Sequence, residues 1–454
     1  MFVKRVIPKN FGIFGVKTNK EEKHFTQMLE KLSKFLKREE IETLDFLKHF
    51  YGIKKEKEDF KNLQEFCRLL ELFKKRKSVK EISRLMNRPP TTLSHWLHQR
   101  SAPYIIHLVK NYMDLGKPKK GMWLSLNSTK GGIFSGPWIE VPKKVIDGIG
   151  IKNVLNKIKS FPIEKNIKEK FQKEPKKEMA FAYILGVLVG DASKYGIKRK
   201  RRITRRIQLR LTKKYVSNLQ LGSFFCVCMN ICGLRINRGK DCPKGKRNVH
   251  DFYAWHSQCS SFIQWIFDAC LGLKENELTT YNAIRAKWIL RMNNDFKITF
   301  IQGIADSDGF VDFSAIQSGI LTGPNTKLAE KILTSLGIKS RRKFFSSSNL
   351  WALMISIEDA FRLPLFNKEV NSYRYREVND LHKGKRIKRH WQQDLKEEVD
   401  KHIRGGFKGT QIVRKILEHR GVIVRCKGIN RRVRKMKEKE EFTCLGIEST
   451  AQQK

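Results

Sequence analysis

Two stretches of this chain look like copies of one another, and they constrain the fold more than any other feature. Residues 183–193 read YILGVLVGDAS and residues 300–310 read FIQGIADSDGF, so each is an apolar helical run that ends in Asp and a small residue. Both runs contain the small residues that let two helix backbones approach closely, namely Gly186, Gly190, Gly303, Ala305 and Ser307. If the two helices pack side by side, Asp191 and Asp308 meet at their C-terminal ends. Two facing carboxylates offer the oxygen ligands that hard cations such as Mg²⁺ prefer.

Both stretches resemble the LAGLIDADG signature of the DOD-type homing endonucleases, a family of DNA-cutting enzymes encoded by mobile elements and active in intron homing. The first copy, residues 184–192, matches the nine-letter signature at Gly186 and Asp191. The second copy, residues 301–309, matches it at Gly303, Asp306, Asp308 and Gly309. The two eighth-position acids are 117 residues apart (308 minus 191), and strand-like sequence follows each. The resemblance implies an α+β fold, a pseudo-two-fold pair of αββαββα halves with saddle-like antiparallel sheets, assembled as a monomer.

The resemblance also implies a set of catalytic groups. In the family the eighth-position acid binds the metal, so Asp191 and Asp308 are the expected ligands of Mg²⁺ or Mn²⁺, with the backbone carbonyls of Gly190 and Ser307. In the family a basic residue on the first strand of each half orients solvent, and Lys213 or Lys214, which end the run Leu209-Arg210-Leu211-Thr212, fall at the matching place. The second half has Thr322-Gly323-Pro324 there instead, which leaves its basic partner open, with Lys343 as the candidate. We expect Asp306 to cap or pack.

The sequence after the first signature predicts a basic sheet face. Residues 194–214 carry eleven Lys or Arg and no acid, and apolar and polar residues alternate from Ile203 to Leu211, as in a strand with one buried face. Arg and Gln contact base edges, whereas Lys mostly meets phosphate. The candidate DNA contacts of the first half are Arg199, Arg201, Arg205, Gln208 and Arg210. Those of the second half are Gln317, Arg341, Arg342 and Lys343.

Charge predicts the kind of partner. The chain has 93 Lys plus Arg against 45 Asp plus Glu, a formal charge of +48 over 454 residues, which predicts attraction to a polyanion. Double-stranded DNA is the expected partner, RNA is a further candidate, and an anionic membrane surface is the alternative. No run approaches the roughly 18 to 20 apolar residues of a membrane span, and residues 1–10 lack a signal-peptide core. We therefore expect a cytoplasmic, nucleoid-associated protein with no membrane segment.

A short helical segment precedes the two signatures. Ser78 and Glu81 form a capping-box pattern, residues 87–90 (NRPP) predict a turn, and a second helix follows. This segment, residues 78–110, is typical of a helix-turn-helix whose second helix enters a major groove; an ordinary helical hairpin is the alternative. The residues that would face DNA are Thr91, Thr92, Ser94 and His95.

A second helix-turn-helix is predicted in residues 386–440. Helical periodicity covers residues 391–403, 410–419 and 426–436, with Gly405-Gly406 as a break. The alternative is a solvated basic tail. The residues of the last helix expected to face DNA include Asn430, Arg431 and Arg432, with Lys427, Arg434 and Lys435 beside them.

Nine cysteines are not spaced as a disulfide or zinc framework, so buried reduced thiols are the better interpretation.

The domain organisation predicted from these features has seven parts. The parts are a helical N-terminal region 1–77, a helix-turn-helix 78–110, a connector 111–178 with a short helix near 151–158, a first half 179–278, a second half 279–385, a C-terminal helix-turn-helix 386–440 and a tail 441–454.

The sequence therefore predicts a site-specific double-stranded DNA endonuclease that hydrolyses phosphodiester bonds with a divalent metal. The competing hypothesis is a LAGLIDADG scaffold retained as a non-cleaving transcriptional regulator or intron RNA maturase. Two retained carboxylates favour cleavage, because a pure binder has no need to hold two acids beside a phosphate.

Overall fold

The structure is a computed structural model of the 454-residue chain. It divides into two compact units, residues 1–145 with 258–269, and residues 146–257 with 270–454. The residues described are 65, 68–69, 72, 75, 77–97, 121–128, 134–163, 171, 174–199, 202–243, 251–258, 260–274, 277–279, 281–346, 349–387 and 391–444. The predicted N-terminal region 1–77 lies mostly outside them, as do residues 445–454 of the predicted tail.

The described residues form the following helices and strands in chain order. The α-helices are α1 Val79–Met86, α2 Pro90–Leu97, α3 Gly148–Lys157, α4 Lys177–Val189, α5 Ser217–Ile231, α6 Ser261–Trp265, α7 Asn294–Asp308, α8 Thr326–Ser335, α9 Ile357–Arg362, α10 Ser372–Lys383, α11 Gln393–Arg404, α12 Gly409–Arg420 and α13 Cys426–Cys444. The strands are β1 Met122–Ser128, β2 Phe134–Val141, β3 Ala192–Arg199, β4 Arg202–Thr212, β5 Ile236–Arg238, β6 Phe252–Ser257, β7 Gly309–Asp312, β8 Gln317–Leu321, β9 Ser340–Phe345, β10 Leu350–Ser356, β11 Lys385–Ile387 and β12 Val422–Val424. No helix among these residues is long and apolar enough to cross a membrane.

In the first unit, the predicted capping box begins α1. The Glu81 N–H donates to Ser78 Oγ at 3.3 Å, and the Ser78 N–H donates to Glu81 Oε2 at 2.7 Å. Asn87, in the left-handed region at φ 49°, ends the helix, and Pro90 begins α2. The first unit also contains an antiparallel hairpin of β1 and β2. This hairpin lies within residues 111–178, the predicted connector, where Gly and Pro in a stretch rich in Trp and Lys obscure the strand alternation.

The second unit contains two sheets with the same strand order. The first half runs α4, β3, β4, α5, β5, β6, and its antiparallel sheet has the order β3-β4-β6-β5. The second half runs α7, β7, β8, α8, β9, β10, and its antiparallel sheet has the order β7-β8-β10-β9. The predicted α+β class with antiparallel sheets is thereby confirmed. After β6 the chain forms α6 and then a π-helical segment, Ile266–Cys270. Residues 258–269 belong to the first unit, where the Trp265 indole donates to the Pro142 carbonyl at 2.7 Å.

Each sheet packs one face on helices. In β4, Ile207, Leu209 and Leu211 are buried, and they alternate with polar residues, as the period-two pattern predicts. Helix α5 packs closely on this sheet, since a Cβ placed on Gly222 would lie 2.1 Å from the Trp255 ring. The same helix buries thiols such as Cys228, in agreement with the prediction of reduced cysteines.

The C-terminal helices share one hydrophobic core with the second half. Phe313, Ile357 and Leu381 of the second half pack with buried side chains of α11, α12 and α13, including Val399, Ile416 and Ile429. The short strands β11 and β12 pair in parallel across the same junction. This shared burial is what holds the last three helices in place.

Candidate metal centre and polar sheet faces

The two signature helices α4 and α7 touch through their glycines. A Cβ placed on Gly186 would lie 2.2 Å from the Phe300 carbonyl oxygen, and one placed on Gly303 would lie 2.6 Å from the Tyr183 carbonyl oxygen. Only residues without a side chain fit at such a backbone-to-backbone approach. The sequence prediction that small residues allow these two helices to pack directly is confirmed.

The two signature aspartates come together where these helices end. Helix α4 ends at Val189 with Gly190 as its cap, and α7 ends at Asp308 itself. A Cβ on Gly190 would lie 2.6 Å from the Ser307 Cβ and 3.2 Å from Asp308 Oδ2. The Asp308 carboxylate therefore lies beside Gly190, the residue immediately before Asp191. The Ser307 hydroxyl donates to the Gly303 carbonyl at 2.9 Å, which fixes this corner.

Burial disfavours the charged form of both carboxylates, and at Asp191 the charge of Asp308 adds to this effect. Asp191 is exposed and Asp308 half-buried by surface area, yet much protein surrounds each carboxylate. This low-dielectric surrounding, and then the charge of Asp308, raise the pKa of Asp191 well above its usual value. Burial also raises the pKa of Asp308. Oxygen ligands that repel one another without a cation fit a hard divalent ion, which neutralises both.

Arg374 is a functional candidate that the sequence did not reveal. Burial raises the pKa of Asp191 and of Asp308, and the positive charge of Arg374 lowers the pKa of each. Arg374 belongs to α10, and its guanidinium carbon lies 5.9 Å from the centre of the Phe366 ring. Phe366 in turn packs against Gly309, the residue after Asp308, where an added Cβ would lie 2.6 Å from the ring. No signature motif surrounds Arg374, so only the folded chain brings it to the acids.

Asp306, at the sixth signature position, is buried and fixes the helix pair instead of facing solvent. It is 3% exposed; its Oδ2 accepts from the Tyr183 hydroxyl at 2.9 Å and its Oδ1 from the Asn367 N–H at 3.1 Å. Burial raises the pKa of Asp306 to about 7 despite these two donors. A carboxylate held by two donors within the core agrees with the packing role expected for it.

The Tyr183→Phe variant is expected to lose about 1–3 kcal/mol of stability, because it leaves Asp306 Oδ2 buried without its donor. The pKa of Asp306 is about 7 in the folded state, against a usual 3.8. An acid with a raised pKa lowers stability as the pH rises from the usual value through the folded one. Removing the Tyr183 hydroxyl raises the pKa of Asp306 in the folded state further. The stability that the variant loses is therefore larger at pH 8 than at pH 5.

The measurement is urea unfolding of the metal-free full chain at both pH values. Tyr281→Phe is the matched control, because Tyr281 is 77% exposed and its hydroxyl supports no buried group. An equal deficit at both pH values would show that the Tyr183 hydroxyl acts by packing and not through the Asp306 charge.

The predicted lysines lie further from the acids than Arg210 does. Ala192 pairs with Leu209, so Asp191 is level with Arg210, and Lys213 lies three residues beyond, roughly 10 Å along β4. The Lys213 ammonium is 2.9 Å from Asp241, which raises the pKa of Lys213. Lys214 is exposed, with its ammonium 5.5 Å from the Tyr215 ring centre. The sheet register thus puts an arginine, not a lysine, next to the first aspartate.

The face of the first sheet opposite the helices is polar and cationic. Gln208 pairs in register with His256, and burial, then the charges of Arg206 and Arg210, lower the pKa of His256. Gln208 is 5% exposed. Its side-chain amide is oriented so that the oxygen accepts from Arg210 Nε at 2.6 Å. Arg210 is exposed. Arg201 and the side chains of Arg199 and Arg205 lie outside the described residues.

In the second sheet, the candidate contacts of β9 divide between its two faces. Arg342 donates from Nε to Glu330 Oε2 of α8 at 3.0 Å, so it lies on the helix-covered face. Alternation then directs Arg341 and Lys343 to the opposite face. The Lys343 ammonium lies 3.9 Å from Asp312 and 4.7 Å from the centre of the Phe345 ring. Gln317 is half-buried on β8. In the register of the sheet, Lys343 on β9 is level with Asp308, immediately before β7, but the two are separated by three strand spacings, roughly 14 Å.

The flanking helices leave the predicted residues with described side chains exposed or half-buried. In α2, Thr91 is exposed and Thr92 half-buried, whereas the side chains of Ser94 and His95 lie outside the described residues. In α13, Arg431 is exposed and Arg432 is paired with Asp400 of α11. An open cavity of about 570 Å³ is lined by Ser314, Cys426, Lys427, Asn430, Arg431 and Arg434.

On this geometry, residues 177–362 have a LAGLIDADG-like fold: two signature helices in direct contact, each followed by a four-stranded antiparallel sheet. Parts of the chain are similar to solved structures of this kind. Mesophilic variants of the homing endonuclease I-DmoI are 16% identical, with a TM-score of 0.32 over 44% of this chain and 99% of theirs. I-DmoI in complex with DNA and Ca is 17% identical, with a TM-score of 0.33 over 46% of this chain and 99% of that one.

A second kind of solved structure is similar at a comparable level. Full-length DUF199/WhiA from Thermatoga maritima is 14% identical, with a TM-score of 0.30 over 56% of this chain and 79% of that one. No protein-family model and no curated protein matches the chain.

Proposed function

We propose that this protein is a metal-dependent endonuclease that cuts double-stranded DNA at specific sites. The observation that carries the proposal is the pair Asp191 and Asp308, held together at the adjoining ends of two helices in contact. Burial raises the pKa of both carboxylates, and the charge of Asp308 raises that of Asp191 further, so their charged forms are disfavoured without a cation. Strongly perturbed acids in such an arrangement are typical of sites that do chemistry. A protein that only binds DNA gains nothing from them.

The metal would be held by Asp191 and Asp308, with the carbonyl oxygens of Gly190 and Ser307 beside them. When bound, a divalent ion such as Mg²⁺ or Mn²⁺ supplies a water of lowered pKa and compensates charge on the scissile phosphate. The chain itself contributes the fixed spacing of the two carboxylates, which follows from the glycine contacts of α4 and α7. Because one chain supplies both acids, we propose that the protein acts as a monomer.

Arg374 would keep both aspartates ionised, and therefore ready for a cation, near neutral pH. Replacing it by Gln removes the charge that lowers both pKa values, so cleavage at sub-saturating Mg²⁺ requires a higher pH. A rise of about one unit in a pKa lowers the ionised fraction of that acid by up to about tenfold, so the rate at pH 7 should fall by up to about tenfold and recover toward pH 9. The measurement is the pH profile of cleavage at low and at saturating Mg²⁺. Arg374→Lys, which keeps the charge, is expected to rescue most of the rate.

Arg376→Gln is the matched control, since Arg376 is an exposed arginine on the same helix α10. A rate loss in Arg374→Gln that changes with neither pH nor Mg²⁺ would mean that Arg374 contacts DNA and does not tune the acids.

DNA would lie across the polar faces of the two sheets, which a pseudo-two-fold relation between the halves would present together. Arg206 and Arg210 supply cations on the first sheet and Arg341 and Lys343 on the second, while Gln208 orients Arg210. The charge of +48 supports a salt-sensitive attraction to the phosphate backbone. The paired helices α1 and α2, and the last three helices α11 to α13, would act as helix-turn-helix modules for outer parts of a long site. A DNA-bound protein of this kind would be nucleoid-associated.

The Arg341→Ala variant is expected to bind duplex DNA more weakly and to reduce the slope of log K against log salt by about 1. Arg341 is exposed on β9 and lies on the face proposed to meet phosphate. Arg342→Ala is the matched control, because the neighbouring Arg342 is paired with Glu330 on the other face. Fluorescence anisotropy at several salt concentrations measures both slopes. Equal slopes for the two variants would remove β9 from the interface.

The function itself is tested by incubating the full chain with Mg²⁺ or Mn²⁺ and a duplex pool that includes the DNA flanking its own gene. Discrete double-strand cuts at a defined sequence are the expected result. Tight, sequence-specific binding without cuts in either metal would instead indicate a non-cleaving regulator. Preferential binding of structured RNA under the same conditions would indicate a maturase.

A further inference from the structure

A second cluster of metal-ligating side chains lies on α11 and α12. Glu398 and His402 are one turn apart on α11, and His419 lies near the end of α12. Glu398 Oε1 is 3.3 Å from His419 Nδ1 and 3.9 Å from His402 Nε2. One ligand atom from each residue lies within 4.8 Å of the others. We propose that Glu398, His402 and His419 bind a zinc ion that ties α11 to α12.

The ligand atoms suit zinc better than the ion expected at the aspartates. Two imidazoles and one carboxylate are ligands for zinc and other late transition metals, whereas Mg²⁺ takes oxygen ligands. Bonds of about 2.0–2.1 Å in a tetrahedral site place ligand atoms roughly 3.3 Å apart. The two separations from Glu398, 3.3 and 3.9 Å, are close to this value, and side-chain rotation can bring the two histidine nitrogens, which lie within 4.8 Å of each other, to it. Solvent would complete the fourth position.

His402 has a buried ring nitrogen, Nε2, without a hydrogen-bond partner among the described residues, which indicates a ligand. Its side chain is only 12% exposed, and its ring meets the Phe407 ring edge-on at 5.7 Å. Buried polar atoms are almost always partnered. Burial, then the nearby charge of Lys415, lower the pKa of His402 and keep its imidazole neutral, the form that binds a metal.

Arg420 orients the carboxylate of the cluster. Its Nε donates to Glu398 Oε2, and its Nη1 donates to Asp394. The second oxygen, Oε1, is thereby left facing the two histidines. Groups that fix a ligand from behind in this way are typical of metal sites. The arginine also shares its charge with Asp394, which limits its repulsion of a cation.

The test uses the full chain carrying Asp191→Asn and Asp308→Asn, so that the other candidate centre cannot contribute. After treatment with a chelator, the protein is titrated with ZnSO₄ in excess Mg²⁺. Bound metal is measured by mass spectrometry, and Co²⁺ is used as a spectroscopic probe. We expect one zinc per chain, a higher melting temperature with zinc, and a Co²⁺ spectrum of nitrogen and oxygen ligands without thiolate bands.

Adding His419→Ala is expected to lower zinc affinity by about 100-fold or more, since loss of an outer partner alone costs about 10–100-fold. The His419 side chain is 58% exposed, so the melting temperature without zinc should hardly change, and His402→Gln offers a second variant. His382→Ala is the control, because His382 is exposed and stacks on Phe361 outside the cluster. Absence of zinc binding, or binding that survives both cluster variants, would overturn the proposal.

Discussion

Replacing either signature aspartate by asparagine is expected to abolish cleavage while DNA binding persists. Asp191 and Asp308 supply the charged oxygens that would hold the metal, and an amide keeps the size but loses the charge. Members of one catalytic unit are strongly interdependent, so each single variant should lose about 10³-fold or more of the rate, and the double variant little beyond that. The measurement is single-turnover cleavage with Mg²⁺ and with Mn²⁺, alongside DNA affinity.

The same substitutions should raise the stability of the metal-free protein at pH 8. The pKa of each aspartate is raised in the folded state, so its ionised form is disfavoured there above the usual aspartate range. A neutral amide removes that unfavourable term, and the melting temperature in a chelator should rise. A gain in stability with a loss of activity is the expected behaviour of a functional site under electrostatic strain.

Asp295→Asn is the matched control for this prediction. Asp295 is an exposed aspartate in the first turn of the same helix α7, and it is expected to change neither cleavage nor the melting temperature by much. Cleavage that survives in both Asp191→Asn and Asp308→Asn would place the chemistry elsewhere. Loss of DNA binding together with cleavage would show that the aspartates serve the fold of the binding surface.

The sequence predicted those parts of the fold and site that local patterns specify. Glycines at helical spacing next to an Asp define the two signature helices, and the alternation of apolar and polar residues in β4 defines the polar sheet face. The capping residues Ser78 and Glu81 and the turn at Asn87 defined α1 and its end. Each pattern lies within about a dozen residues, so neighbouring residues alone carry the information.

Contacts between distant segments could not be predicted in this way. Arg374 lies 66 positions after Asp308 (374 minus 308), on a helix with no motif, and it meets the acids only because α10 packs behind β7. The core that the C-terminal helices share with Phe313 and Ile357 likewise depends on tertiary packing.

One distinction was available in the sequence, because residues of opposite parity on a strand face opposite ways. This separates Arg342 from Arg341 and Lys343. The burial of Gln208, in contrast, depends on the groups around it and needed the structure.

The Gly303→Ala variant is expected to lose about 3 kcal/mol of stability, at the upper end of what overpacking costs, and all cleavage. Its added Cβ would lie 2.6 Å from the Tyr183 carbonyl oxygen and 3.0 Å from the Gly186 Cα. Both are backbone atoms, so no side-chain rotation relieves the overlap, and α4 and α7 must move apart. Overpacking that shifts a backbone costs about 1–3 kcal/mol and sometimes more. Because the aspartates sit at the ends of these helices, their separation changes with the shift.

Gly421→Ala separates this steric effect from the general cost of losing a glycine. Gly421 has φ +63°, and a Cβ added there would meet no described atom within 4 Å, so the variant should lose only about 1–2 kcal/mol through backbone strain. Urea unfolding measures both. Gly186→Ala opens the same interface. The double variant should therefore lose less stability than the sum of the losses in Gly186→Ala and Gly303→Ala. Full additivity, or equal losses for Gly303→Ala and Gly421→Ala, would show that the helices are not in contact through these residues.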